Sequence, residues 1–217
     1  MAARTVLVVD DHTLIRTTLV MALRSQGFDA FHVPVARTAD ILTDISGYEP
    51  GLALLDLYLG EGVESGAELV VPLVSMGWSV LIVTGSRDRY ALARAVALGA
   101  AGWVSKTESF ERLLAVTVDA AAGREVLSQA ARSELVTLYR RLRARHDEIE
   151  KRLARLSTRE RQVLDRLAAG VQAAAVAEEF GISLATVRAQ IRSVLTKLDV
   201  GTQLAAVALV NEARTPS

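Results

Sequence analysis

The sequence predicts an α/β protein built on a doubly wound, five-stranded parallel sheet, followed by a second, smaller all-α domain. In roughly the first 125 residues, short apolar segments rich in β-branched residues alternate with segments of helical periodicity. Such alternation is typical of a parallel sheet covered by helices on both faces. From residue 157 onward the periodicity is helical throughout, which predicts a separate helical domain.

Each apolar segment predicts one strand of the sheet. The five segments are TVLVVD (5–10), FDAFHV (28–33), GLALLD (51–56), SVLIVT (79–84) and AGWVSK (101–106). Their near-continuous apolar character is typical of parallel strands, which are buried on both sides. The helical patterns lie near 13–26, 36–46, 65–76, 88–98 and 108–121.

Composition excludes several classes of protein. Hydrophobic residues make up 51% of the 217 positions, which suffices for a packed core. Because cysteine is absent, disulfide scaffolds, thiolate zinc sites and cysteine nucleophiles are excluded, and a reducing compartment fits. The N-terminus MAARTVLVVDD predicts a strand rather than a signal peptide, and no apolar run is long enough to span a membrane. We therefore expect a cytoplasmic protein.

The charges are unevenly distributed, although the formal net charge is zero. Residues 1–131 carry 10 basic and 15 acidic side chains, residues 132–156 carry 8 and 4, and residues 157–217 carry 7 and 6. The acidic first part suits a site that binds a cation. The basic middle segment is either a solvated helix face or a surface for an acidic partner or nucleic acid.

The segment 132–156 predicts one long helix, because it lacks glycine and proline and carries a heptad repeat. Leucine or isoleucine recurs every seven residues at Leu135, Leu142, Ile149 and Leu156, with Leu138 at the alternate heptad position. Arg145 and Arg152 interrupt that second seam. A linker helix packed on its own domains and a dimeric coiled coil both fit the repeat, and the two arginines favour the linker.

The C-terminal part predicts four short helices. Ser157-x-x-Glu160 forms a capping box that begins the first of them, which ends before Gly170. The others run from about 172 to Phe180, from Ser183 to about Leu198, and from Thr202 onward. We therefore divide the chain into a domain over 1–124, a helical linker over 125–154 and a helical domain over 155–217.

Polar residues stand where the predicted strands end, and in an open parallel sheet ligands bind at that edge. These residues are Asp10, Asp11, Asp56, Thr84 and Lys106. Three converging carboxylates tolerate each other only if a cation is shared, and oxygen ligands suit Mg²⁺. A hydroxyl and an ammonium beside them could hold an anion such as a phosphoryl group. Each residue alone is more often a helix cap or a solvated charge, whereas the combination indicates a site.

Four motifs in this part of the chain resemble the receiver domain of two-component response regulators, a flavodoxin-like fold, over residues 4–121. The motifs are VLVVDDH (6–12), LALLDLYL (52–59), VLIVTGS (80–86) and GAAGWVSK (99–106). The resemblance implies a protein that is switched by phosphoryl transfer from a sensor histidine kinase.

Individual roles follow from the same resemblance. Asp56 matches the phosphoacceptor, and Mg²⁺ would be held by Asp10, Asp11, Asp56 and the backbone carbonyl of Tyr58. The positions that respond to the phosphoryl group are the hydroxyl of Thr84, the ammonium of Lys106 and the switch aromatic, here Trp103. Trp103 replaces the usual tyrosine or phenylalanine, and the segment LYLGEGVESGAEL after Asp56 is longer and more acidic than usual.

The C-terminal part resembles the LuxR-type helix-turn-helix of the NarL/FixJ class. The matching segments are LSTRERQVLDRLAAG, VAEEFGIS and ATVRAQIRSVLTKLDV, within 155–213. The third helix would lie in the major groove of DNA. The resemblance places Arg188, Ala189 and Arg192 toward bases, and arginine pairs well with guanine. It places Thr186, Lys197 and Ser193 by phosphates, whereas Val187, Val194, Leu195 and Leu198 are predicted to be core.

Two differences from the family pattern bear on affinity. Gln190 stands where the family usually has histidine, and Gln172 to Ala175 replaces a polar stretch. We expect one protomer to bind DNA modestly, so that a homodimer forms at least when the protein is phosphorylated or bound to promoter DNA. The near-neutral charge of the helical domain also fits a dimerisation module.

Taken together, these features predict a DNA-binding response regulator rather than an enzyme. One alternative is a regulator that binds DNA without phosphate control. Another is a flavodoxin-like cofactor binder or an aspartate-based phosphatase. DDHTLIR lacks the glycines of a phosphate-cradling loop, and no second carboxylate lies two positions after Asp56, which disfavours this last alternative.

Overall fold

A computed structural model describes residues 5–35, 37–60 and 65–214. The chain divides into two compact units, Met1–Tyr139 and Arg140–Ser217, and the division falls inside one long helix. The predicted linker over 125–154 is therefore shared between the two units. The predicted domain boundaries stay a prediction.

The first unit has the predicted fold, a five-stranded parallel sheet in the order β2-β1-β3-β4-β5. Its strands are β1 (Thr5–Val9), β2 (Asp29–His32), β3 (Leu52–Leu55), β4 (Ser79–Thr84) and β5 (Gly102–Ser105). Its helices are α1 (Thr13–Ser25), α2 (Thr38–Ile45), α3 (Ala67–Ser75), α4 (Arg89–Ala97) and α5 (Phe110–Ala121).

The strands are mostly apolar because packed helices cover both faces of the sheet. Leu7 and Val9 of β1 belong to the core cluster that contains α2, α3 and α4, whereas Val6 and Val8 belong to the cluster that contains α1 and α5. Alternate side chains of a strand point to opposite faces, so the inner positions of β1, β3 and β4 are core on both faces. This double burial leaves polar side chains only at the strand ends, where the site lies.

The long helix α6 (Gln129–Leu153) begins on the first unit. The guanidinium of Arg132 donates a hydrogen bond of 2.9 Å to the carbonyl of Ala100 and another to that of Ala101, which precede β5. Glu134 pairs with Arg89 of α4 at 2.7 Å. The start of α6 is therefore fixed to the backbone that leads into β5 and to the beginning of α4.

The second unit contains the end of α6 together with α7 (Thr158–Ala168), α8 (Ala173–Phe180), α9 (Leu184–Leu198) and α10 (Gln203–Arg214). Ile149 and Leu153 of α6 are buried with Leu198 and Val210. This end of the helix therefore packs within the second unit, and the choice between a linker and a coiled coil stays a prediction. Leu142, in the same heptad repeat as Ile149, is 37% exposed.

The turn between α8 and α9 is formed by backbone geometry that its residues favour. Gly181 ends α8 in the left-handed region, with φ of 63°, which glycine adopts without strain. Ser183 then caps α9 by accepting a hydrogen bond from the backbone N–H of Thr186 at 3.1 Å.

No single described helix is long and apolar enough to cross a membrane. The pair α9 and α10, bent by 63° at the break between them, would be long and apolar enough by length and composition alone.

Candidate functional site

The three predicted carboxylates come together at the carboxyl ends of β1 and β3. Asp10 and Asp56 are buried, 2% and 3% exposed, whereas Asp11 is exposed to solvent. Each of them offers a carboxylate oxygen to a group of ligand atoms that lie within 4.8 Å of one another. The structure thus gathers the predicted acidic residues into a single pocket.

The ammonium of Lys106 lies between the two buried carboxylates. Its Nζ is 2.6 Å from Asp10 Oδ2 and 2.6 Å from Asp56 Oδ2, and its side chain is only 7% exposed. Burial raises the pKa of Asp56, and the hydrogen bond and positive charge of Lys106 oppose part of that rise. A positive charge therefore already balances part of the carboxylate charge at the centre of the pocket.

Backbone groups hold both buried carboxylates in place. The N–H of His12 donates to Asp10 Oδ1 at 2.8 Å, and the N–H of Tyr58 donates to Asp56 Oδ1 at 3.2 Å. The guanidinium of Arg16 donates to the carbonyl of Asp10 at 3.1 Å. A Cβ at Gly66 would lie 1.9 Å from the carbonyl oxygen of Asp56, so only glycine allows the chain to pass this close.

The remaining predicted residues surround this centre. Thr84, at the end of β4, is fully buried, and its hydroxyl accepts a hydrogen bond from the N–H of Ser86 at 3.2 Å. Trp103 of β5 is partly buried and packs on the side of the sheet that α2, α3 and α4 cover. The side chain of Tyr58 is 53% exposed. Part of the predicted acidic loop, residues 61–64, lies outside the described residues.

The donor set of the pocket fits a divalent cation. Three carboxylates offer hard oxygen atoms, which Mg²⁺ prefers, and two of the three are held rigidly by backbone hydrogen bonds. The cation and the Lys106 ammonium would both neutralise these carboxylates. The pocket can therefore hold a cation together with a further anion.

The second unit presents the predicted base-reading residues on one exposed face of α9. Arg188, Ala189 and Arg192 are exposed, as is Thr186 near the start of the helix. Arg188 and Arg192 are four residues apart and so share a helix face. The opposite face is core, with Val187, Val194 and Leu198 buried and Leu195 partly buried.

The sequence predicted that Glu160 caps a helix but not that it contacts α9. The predicted capping box is present, and Glu160 accepts a hydrogen bond of 2.7 Å from the N–H of Ser157. Its carboxylate also accepts bonds from Ser193 Oγ at 2.7 Å and from Lys197 Nζ at 2.6 Å. These bonds, that from Lys197 above all, lower the pKa of Glu160 to about 2. Two residues predicted to lie by phosphates are thus also ligands of a buried carboxylate.

The two departures from the family pattern have structural counterparts. Gln190 is partly buried, and its Oε1 has no hydrogen-bond partner within the described part of the chain. Gln172 is the N-cap residue of α8 but makes no side-chain capping bond. Gln172 therefore does not cap α8, and Gln190 Oε1 is unpaired among the described residues.

A doubly wound sheet with a lysine-bridged carboxylate pocket, joined to a helix-turn-helix unit, defines the class of two-domain signalling regulators. The family model "Response regulator receiver domain" matches residues 6–118, and the model "Bacterial regulatory proteins, luxR family" matches residues 154–210. The chain therefore belongs to the response regulator family, with a LuxR-type domain after its receiver domain.

Curated relatives match over most of the chain. The chain is 31% identical over 189 residues to the probable transcriptional regulatory protein NarL of Mycobacterium tuberculosis, covering 84% of this chain and 82% of that protein. It is 31% identical over 182 residues to the transcriptional regulatory protein FixJ of Bradyrhizobium diazoefficiens, covering 83% and 81%. These relatives are transcription regulators rather than enzymes, which confirms the expected class of protein.

A solved structure supports the fold alone. RcsB from Salmonella enterica serovar Typhimurium, bound to promoter P1flhDC in the presence of a phosphomimetic, matches with a TM-score of 0.52 at 19% identity. The match covers 97% of this chain and 98% of that one.

Proposed function

We propose that Asp56 accepts a phosphoryl group from a phosphohistidine of a sensor kinase, and that this modification controls binding of promoter DNA by α9. The observation that carries the proposal is the contact of Lys106 with both Asp10 and Asp56 at 2.6 Å. An ammonium that bridges two buried carboxylates can move to the phosphoryl oxygens once Asp56 is modified. The pocket therefore has a group whose partner changes with phosphorylation.

The chemistry follows from the residues around Asp56. A carboxylate oxygen of Asp56 attacks phosphorus, a P–O bond forms, the P–N bond to the histidine breaks, and the imidazole leaves. Asp10, Asp11, Asp56 and the backbone carbonyl of Tyr58 would hold Mg²⁺, which neutralises charge on the transferring phosphoryl group. Lys106 and the hydroxyl of Thr84 then bind the oxygens of the acyl phosphate.

Transmission begins at β5, which ends beside Lys106. The carbonyls of Ala100 and Ala101, just before this strand, accept the two hydrogen bonds from Arg132 of α6. A shift of Lys106 toward a phosphoryl group would move β5. The hydrogen bonds of Arg132 would pass this movement from the start of β5 to α6. We therefore assign α6 the role of the element whose docking responds to phosphorylation.

We expect Arg132→Gln to weaken the docking of α6 on the first unit. Loss of the two hydrogen bonds costs about 1–2 kcal/mol, so the amides of 129–139 should exchange with solvent about tenfold faster. Hydrogen exchange with mass spectrometry measures this directly. Arg124→Gln is the control, because Arg124 pairs with Asp119 on the surface and should leave exchange in 129–139 unchanged. Equal exchange in wild type and Arg132→Gln would contradict the docking role.

DNA reading is assigned to the exposed face of α9. Arg188, Ala189 and Arg192 would face base edges in the major groove, and Thr186 and Lys197 would lie by phosphates. Support comes from the exposure of this face and the burial of the opposite one. Lys197 is held in place by Glu160, whose carboxylate also neutralises part of its charge.

Replacement of either exposed arginine of α9 should lower sequence-specific binding. We expect Arg188→Ala and Arg192→Ala each to cost about 1–3 kcal/mol, or roughly ten- to hundredfold in affinity. Fluorescence anisotropy with DNA selected by the wild-type protein from a genomic library measures the effect. Arg214→Ala on α10 is the control, because it removes only a surface pair with Asp165. Wild-type affinity in both α9 variants would exclude this face.

The complete proposal is tested by treating the protein with acetyl phosphate and Mg²⁺. We expect a homodimer in solution and tighter binding of the selected DNA, because two modest half-sites then act together. DNA affinity that does not change with phosphorylation would instead favour a regulator without phosphate control. Both the kinase reaction and promoter binding place the proposed activity in the cytoplasm.

A further inference from the structure

His12 brings a nitrogen donor into the carboxylate pocket. Its Nδ1 lies 2.6 Å from Asp11 Oδ1, 3.2 Å from Asp10 Oδ1 and 3.3 Å from Lys106 Nζ. One ligand atom from each of Asp10, Asp11, His12 and Asp56 falls within a group whose members are at most 4.8 Å apart. The pocket therefore offers three carboxylates and one imidazole to the same point.

The position of this ring is not explained by the helix that it precedes. His12 is the N-cap residue of α1, where serine, threonine, aspartate or asparagine usually caps the helix, and its side chain makes no capping hydrogen bond. Its backbone N–H instead donates to Asp10 Oδ1 at 2.8 Å, which turns the residue toward the carboxylates. The side chain is 59% exposed, so the ring lies at the solvent-facing side of the pocket.

We infer that His12 Nδ1 is a direct ligand of the pocket's cation, and that the site prefers divalent first-row transition metals over Mg²⁺. This inference rests on the proposed function, which places a divalent cation among these carboxylates. It adds a ligand to the cation site and determines the metal that the site selects.

The spacing of the donors agrees with binding to a single ion. In an octahedral site with bonds of roughly 2.1 Å, neighbouring ligands are about 3.0 Å apart and opposite ligands about 4.2 Å apart. The four donors, none more than 4.8 Å from another, need only small movements to reach these distances. Each carboxylate has two oxygens, so the ion can share Asp10 and Asp56 with Lys106, which contacts Oδ2 of both.

The chemistry of the nitrogen donor determines the preference. Mg²⁺ favours oxygen ligands and retains water, whereas imidazole binds transition metals with an affinity that rises from Mn²⁺ to Co²⁺ and Ni²⁺. A site made of carboxylates alone would show a smaller difference in affinity between Mg²⁺ and these transition metals. The contribution of His12 should therefore grow along the series from Mg²⁺ through Mn²⁺ to Co²⁺.

The inference is tested with full-length wild type, His12→Ala and, as a matched control, His32→Ala, whose histidine lies at the exposed end of β2. Calorimetric titration gives affinities for Mg²⁺, Mn²⁺ and Co²⁺. We expect His12→Ala to lower the affinity for Co²⁺ by about tenfold or more, for Mn²⁺ by less, and for Mg²⁺ least. Pulsed electron paramagnetic resonance of bound Mn²⁺ should show coupling to a directly bound nitrogen in wild type and His32→Ala, and none in His12→Ala.

Two results would overturn the inference. One is a Co²⁺ to Mg²⁺ affinity ratio that is the same in wild type and His12→Ala, and the other is a wild-type Mn²⁺ spectrum without nitrogen coupling. Thermal unfolding of each variant shows that it is folded. Phosphoryl uptake by the wild type with Mg²⁺ tests the proposed function separately. Its absence would refute that function, whereas a nitrogen-free spectrum in a protein that takes up phosphate would refute only the role of His12.

Discussion

Asp56→Asn is expected to abolish uptake of a phosphoryl group from acetyl phosphate in the presence of Mg²⁺. The amide of asparagine is not a nucleophile, and it gives up the negative charge that attracts both a cation and Lys106. We expect incorporation to fall by about a hundredfold or more, to the background of the measurement. Intact-protein mass spectrometry counts the phosphoryl groups on each variant.

The matched control is Asp44→Asn, which makes the same chemical change on the exposed surface of α2. It should take up one phosphoryl group as the wild type does. Asparagine has nearly the shape of aspartate and can still accept the hydrogen bond that the N–H of Tyr58 donates to Asp56 at 3.2 Å. Thermal unfolding of Asp56→Asn therefore distinguishes loss of the nucleophile from loss of the fold. Undiminished uptake by a folded Asp56→Asn would place the phosphoacceptor elsewhere.

Local sequence patterns predicted the sheet and much of the pocket because both depend on one rule of topology. Asp10, Asp56, Thr84 and Lys106 each follow a buried apolar segment, and the carboxyl ends of parallel strands meet at one edge of a sheet. Convergence of these residues is therefore predicted by the sequence alone. The 2.6 Å contacts of Lys106 with Asp10 and Asp56 could not be predicted from this rule, because β5 lies two strands from β3 and three strands from β1 in the sheet.

Contacts between distant segments could not be predicted in the same way. The capping box showed that Glu160 would begin a helix, but its other partners, Ser193 and Lys197, are 33 and 37 residues away. The contacts of Arg132 with Ala100 and Ala101 span 32 and 31 residues. His12 carries no capping signal, and its ring position depends on how Asp10 and Asp11 are placed. Only tertiary packing decides such contacts.

The second large effect is expected at Glu160, the buried carboxylate that joins α7 to α9. Glu160→Gln keeps the size of the side chain but removes its charge, as protonation does. The pKa of Glu160 is lowered from 4.5 to about 2, and each pKa unit corresponds to about 1.4 kcal/mol. Because Lys197 is 38% exposed, solvent screens part of this interaction. We expect the free energy of unfolding of the second unit to fall by about 2–3 kcal/mol at pH 7.

The pH dependence separates this charge effect from altered packing. The folded pKa lies below the unfolded one, so the carboxylate stabilises the fold fully above pH 4.5 and loses this contribution as the pH falls toward about 2. The stability difference between wild type and Glu160→Gln should therefore close over this range. Urea unfolding, followed by nuclear magnetic resonance of the methyl groups of Val194 and Leu198, reports on the second unit.

Glu179→Gln is the matched control for this variant. Glu179 is exposed and pairs with Arg166 on the surface, where an ion pair contributes about 0–1 kcal/mol. The Glu179→Gln variant should therefore have nearly the wild-type free energy of unfolding at any pH. A Glu160→Gln protein as stable as the wild type at pH 7, or a difference that persists unchanged at pH 2, would show that the charge of Glu160 does not hold α9 in place. The expected closure would instead show that the ionised carboxylate on α7, which accepts hydrogen bonds from Ser193 and Lys197 of α9, stabilises the second unit.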